Sequence, residues 1–111
     1  MAKDTKDQVI IRSSGNVFAD LGLPDAAELQ TKAELCAALN RIVERQRLAQ
    51  SEVAVALGIN QTKVSALLNY KLEGFSVERL MHFLVALGQD VEILVKTRPG
   101  SRSARIAVKA A

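Results

Sequence analysis

Gln61, Thr62, Lys63 and Ser65 bring hydrogen-bonding and cationic groups together within five positions. A glutamine amide can pair with adenine N6 and N7, and a lysine ammonium with a guanine edge, so the group suits the reading of base edges in duplex DNA. Catalysis has far less to draw on. The chain holds one histidine, one cysteine and no convincing pair of carboxylates, which makes an enzyme the weakest reading. Cys36, as the sole cysteine, permits neither an intrachain disulfide nor a cysteine-based metal cluster within one chain. Beside Leu35 and Leu39 it reads as a small core residue. His82 has no second ligand or nucleophile spaced to join it and reads as a surface or core-edge residue. Neither a metal nor a cofactor is expected.

The elements that must carry these side chains run from Gln50 to Leu68. The pattern predicts two short helices, near Gln50–Leu57 and Gln61–Asn69, joined by a tight turn. Ala54 is small where the helices cross. Gly58 stands where the turn needs a positive φ, which a residue without Cβ adopts freely. Val53, Leu57, Ile59, Val64 and Leu67 form the apolar seam, and Asn60 is placed to cap the second helix through its side-chain oxygen. Together they make a helix-turn-helix, whose second helix presents its polar face to the major groove. An ordinary helical hairpin is the alternative, but a small residue, the glycine and the later Val64 and Leu67 in one register favour the DNA-reading motif.

Around the motif, Leu35, Leu39, Ile42 and Val43 predict a long preceding helix that ends near Arg47 and Leu48. It has two candidate starts: Pro24 with Asp25 and Glu28, or the capping-box pattern Thr31-Lys32-Ala33-Glu34. After a loop at Tyr70–Phe75, Ser76 is the cap of a further helix with Val77, Leu80, Met81, Leu84 and Leu87 at helical spacing, stopped by Gly88. Val91–Lys96 alternates with period two and predicts a strand. A lone strand has unpaired edges. Its partner is either Val9–Arg12 or the same strand of a second subunit, and the second is favoured because a two-fold dimer presents two reading heads on one face of the duplex. Ahead of the helices, Val9-Ile10-Ile11 is a short β-branched run, and Val17, Phe18, Leu21 and Leu23 form an apolar segment covering one end of the core.

The 111 residues allow one domain with a modest core, rich in aliphatic side chains and with Phe18, Phe75, Phe83 and Tyr70 as its aromatics. No aromatic stacking platform for single strands is evident, so duplex DNA is the better fit. Net charge is +3, but residues 97–111 carry Arg98, Arg102, Arg105 and Lys109 with no acid, leaving −1 for residues 1–96. Over 41–71, Arg41, Arg45, Arg47, Lys63 and Lys71 face only Glu44 and Glu52. That local excess would supply the salt-dependent phosphate term of DNA affinity, unless it is merely a solvated face. No N-terminal apolar run indicates a secretory signal or membrane span, so a cytoplasmic protein is expected.

Leu48 through Ala54, Gly58-Ile59 and Val64-Ser65 resemble the phage repressor/Cro (Xre) class of helix-turn-helix domains. Asn16–Gly22, Gly74-Phe75-Ser76 and Val91–Lys96 are similar to small regulators of the HigA-like antitoxin type. The resemblance implies a mainly α, lambda-repressor-like bundle of four to five helices with a C-terminal β-strand. It spans residues 14–96, which would be the DNA-binding and dimerisation domain. By their own composition, 1–13 reads as a flexible N-terminal arm and 97–111, with Pro99-Gly100 and scattered basic residues, as a basic flexible tail. By that resemblance Gln61, Thr62, Lys63 and Ser65 read bases, while Gln50, Ser51, Asn60, Asn69 and Lys71 hold the DNA backbone. Gln50 would also brace Gln61, and Val91, Ile93 and Val95 would form the dimer. The chain departs from the family at Ala49, where Ser or Thr usually caps the helix, at a cost of about 1 kcal/mol. The Tyr70–Gly74 loop is also longer.

The function expected is a homodimeric, sequence-specific transcriptional repressor on double-stranded DNA. A narrower version is an antitoxin that also neutralises a small toxin protein, through Val9–Leu23 or the tail after Arg98. The rival is a protein-interaction module in which the motif is only scaffold. It differs in predicting that Gln61 and Lys63 tolerate replacement.

Overall fold

The computed structural model describes residues 26–101 and 103–110. The 1–13 arm with Val9–Arg12, the apolar segment Val17–Leu23, the Pro24 start and Arg102 lie outside the described residues. Four helices are present among those described: α1 Ala26–Gln46, α2 Gln50–Leu57, α3 Gln61–Leu68 and α4 Val77–Ala86. Because α1 already spans Ala26–Gln46, Thr31 is not a cap but lies in its second turn. Its hydroxyl donates to the Ala27 carbonyl at 3.0 Å, a back-bond that lets a threonine sit inside a helix. The capping-box pattern there is incidental.

α1 and α4 pack along their apolar faces, α2 and α3 pack on each other, and α3 also meets α1 while α2 meets α4. Leu35, Cys36, Leu39 and Ile42 from α1 meet Leu67 of α3 and Leu80, Phe83, Leu84 and Leu87 from α4 and its C-cap. Phe75 adds an edge-to-face contact with Phe83, ring centroids 5.8 Å apart, and Arg79 lies over both rings. Ser76 caps α4 by accepting from the Arg79 N–H at 3.0 Å. Gly88 ends it at φ 87°. No helix among the described residues is long and apolar enough to cross a membrane.

The strand expected over Val91–Lys96 does not form. Period-two alternation describes which residues suit a half-buried ladder, but a ladder exists only when a second strand accepts its backbone groups, and no described segment does so. Burial does not alternate either: Val91 packs against the core, while Ile93, Leu94 and Val95 are all largely exposed. Residues 89–101 and 103–110 carry no regular structure, yet the segment expected as a flexible tail has a fixed point. Val108 rests on the core, and its N–H donates to Glu34 Oε1 at 3.0 Å. Glu34 is buried, and its other carboxylate oxygen accepts from Gln30 at 2.9 Å.

Candidate nucleic-acid interface

The reading unit starts at the turn that closes α1. Arg47 adopts φ 55°, and its N–H bonds the Glu44 carbonyl while that of Leu48 reaches back to Val43 at 3.0 Å. This is a Schellman closure that turns the chain into α2. At Ala49 the cap is half made. Alanine has no oxygen to offer, but its own N–H donates to Glu52 Oε1 at 2.7 Å. Gln50 and Ser51 are exposed on the first turn. Gly58 ends α2 at φ 71°, ψ 31°. A Cβ there would meet nothing within 4 Å, so conformation alone requires glycine. Val53 from α2 and Val64 and Leu67 from α3 are fully buried, which sets how the two helices lie on each other.

Asn60 caps α3, its Oδ1 accepting from the Lys63 N–H at 2.8 Å, as its sequence position predicts. A phosphate oxygen only accepts, so it is through its amide N–H groups that Asn60 can meet one. Gln61, Thr62 and Lys63 are exposed and Ser65 half-buried. Thr62, Ser65, Ala66, Asn69 and Lys71 line one open groove. The spacing i, i+3, i+7 places Thr62, Ser65 and Asn69 along one face of a 3.6-residue helix, and the turn after α3 brings Lys71 alongside. Among the described residues no hydrogen bond joins Gln50 to Gln61, so the brace implied by resemblance is not present in the free chain. Arg41, Arg45, Arg47, Lys63 and Lys71 are all exposed.

The turn after α3 is where the structure adds most to the sequence reading. Tyr70 adopts φ 63°, and the Lys71 N–H bonds the Ala66 carbonyl at 2.9 Å, a second Schellman closure without glycine. Asn69 is the helix cap rather than a helical residue. Its Nδ2 donates to the Ser65 carbonyl at 2.8 Å, leaving Oδ1 and one N–H for other contacts. From α1, the Cys36 thiol donates to the Leu67 carbonyl at 3.0 Å and Asn40 Nδ2 to the Leu68 carbonyl at 3.3 Å. Cys36 is fully buried, and burial pushes its thiol up to about 11. The thiol stays protonated, and so a donor, at neutral pH. Burial also raises the Tyr70 phenol.

Cys36 is thus more than the small core residue its apolar neighbours predict, and Asn40 carries a role that nothing in its spacing announces. The one available signal was an asparagine in the middle of a long helix, where its backbone competition is unfavourable. Of the dimerisation set, Val91 is turned to its own core and Ile93 and Val95 are exposed, so the three do not share a face. Among the described residues no group of three His, Cys, Asp or Glu side chains comes together to hold a metal ion.

Comparison with known proteins bears on the same stretch. A helix-turn-helix domain family matches residues 17–96. Among solved structures, the chain is similar to one that carries the provisional name of an XRE family transcriptional regulator. The two share 63% identity with a TM-score of 0.75, covering 79% of this chain and 100% of the other. No curated protein matches.

Proposed function

This chain belongs to the helix-turn-helix family of XRE-type transcriptional regulators and binds DNA; from that premise we propose that it is a cytoplasmic, homodimeric repressor rather than a catalyst. The observation that carries this reading is the face of α3. Thr62, Ser65, Asn69 and Lys71 line one groove, with Gln61 and Lys63 exposed at its N-terminal end. Gln61, Thr62, Lys63 and Ser65 meet base edges in the major groove. Gln50, Ser51, Asn60, Asn69 and Lys71 meet flanking phosphates, which orient the helix without reading sequence. An occupied operator excludes polymerase.

The homodimer is supported by Ile93, Leu94 and Val95, three consecutive apolar residues left 76%, 62% and 73% exposed. A second copy covering them would join two reading heads and set half-sites about 34 Å apart. Selection of bound sequences from a random duplex pool at near-physiological salt, with the mass of the complex measured, tests the whole reading. An enriched inverted repeat bound by two copies is expected. Enrichment of no sequence by folded protein would overturn it in favour of the protein-interaction module. Co-expression with the product of any adjacent small gene tests the antitoxin version, which a co-purifying toxin supports and a neighbourhood lacking such a gene counts heavily against.

A further inference from the structure

The last four carbonyls of an α-helix have no partner within it and must find one elsewhere. In α3 three of them are closed by the turn that follows. Ser65 accepts from the Asn69 backbone at 3.1 Å and from its side chain at 2.8 Å. Ala66 accepts from Lys71 at 2.9 Å and Leu67 from Tyr70 at 3.1 Å. The fourth, Leu68, is reached among the described residues by Asn40 alone, from 28 positions earlier in α1.

Asn40 is built to span that gap. Its Nδ2 donates to the Cys36 carbonyl of its own helix at 3.2 Å and to Leu68 at 3.3 Å, so one nitrogen ties two helices. Asparagine is a poor choice for the interior of α1 by propensity, and the bond to Leu68 accounts for its presence there. The tie matters because α3 is short. Its eight residues hold two fully buried side chains, Val64 and Leu67. Two anchors on one line fix depth but leave roll about that line soft. Side chains reach roughly 5–6 Å from a helix axis, so a roll of about 10° moves their tips by about 1 Å. That is enough to take a hydrogen bond out of its favourable range.

We propose that Asn40 is a positioning residue for DNA recognition, holding the C-terminal turn of α3 against α1 so that the base-reading side chains meet the duplex in one register. The proposal rests on the reading of α3 as the DNA-contacting helix. It predicts that Asn40 governs discrimination between sequences rather than attraction to DNA. Asn40→Leu is the informative variant, because it removes both N–H donors with little change of size and favours the helix. Asn40→Asp keeps the shape and likewise removes the donors.

Two measurements on the full chain decide it. The first is amide hydrogen exchange without DNA, where both variants are expected to lose protection at Asn69, Tyr70 and Lys71 while α4 keeps its own. The second is affinity for the selected operator and for a scrambled duplex across a salt series. Operator affinity is expected to fall by about tenfold, the scale of one bidentate base contact, with scrambled-duplex affinity and the salt slope held. Equal weakening on both duplexes, loosening spread over all four helices, or no change in either measurement would overturn the proposal. If the wild-type protein prefers no sequence, the functional reading falls, and unchanged exchange at the α3 turn would still refute the tie.

Discussion

The two ends of α3 are fastened by different means. At its N-terminal end a single side chain acts from three residues away, Asn60 accepting from the Lys63 N–H at 2.8 Å. At its C-terminal end the partners stand 31 and 28 positions earlier in α1, Cys36 on Leu67 and Asn40 on Leu68, beside a tyrosine in left-handed backbone. The first fastening is local and needs only the next turn of chain. The second exists only once α1 and α3 have packed. The exposed side chains of the first turn therefore sit at the locally organised end, while the roll of the whole helix against α1 depends on the tertiary one.

Removing Leu67, the fully buried anchor of the tertiary end, should have the largest effect on stability. Leu67→Ala is expected to cost about 2–5 kcal/mol by urea unfolding, and a loss near zero would show that the end is not held by packing. The Cys36 thiol gives the next effect, through pH. Its value is raised from 9.0 to about 11, so between those limits the unfolded chain has released the proton that the folded chain keeps. Stability is then fully present below about pH 9 and falls as pH rises through 11, by about 3 kcal/mol in all. Subtracting the profile of Cys36→Ala should isolate this fall, and two parallel profiles would contradict it. At the local end, Asn60→Ala should cost about 1 kcal/mol. Smallest is a gain: Ala49→Ser supplies the missing half of the α2 cap and should add roughly 0.5–1 kcal/mol. Loss of stability in that variant would mean the Ala49 backbone is not placed to be capped.

The same division explains what could be read from the chain beforehand. Gly58, Asn60, Ser76 and Gly88 mark helix ends by their own chemistry, and all four stand where that chemistry predicts. Leu35, Leu39, Ile42 and Leu80 announce buried faces by spacing. Tyr70 gives no such signal, since left-handed backbone is expected of glycine or asparagine, and Asn69 stands beside it as the more obvious candidate. Asn40 and Cys36 meet carbonyls of a distant helix, which no local pattern encodes. Thr31 and Val91–Lys96 misled for the converse reason. Each carries a genuine local pattern, a capping box and a strand alternation, but the first lies within a longer helix and the second has no partner strand among the described residues.

The central claim is that the exposed face of α3 reads sequence, and the double substitution Gln61→Ala with Lys63→Ala tests it most directly. Both side chains are exposed, so the fold should survive, as unchanged helicity and urea midpoint would verify. Affinity for the selected operator is predicted to fall on the order of 100-fold, to the level of a scrambled duplex, as two base contacts are lost. Operator affinity equal to that of the unaltered protein would contradict the claim and leave α3 as scaffold.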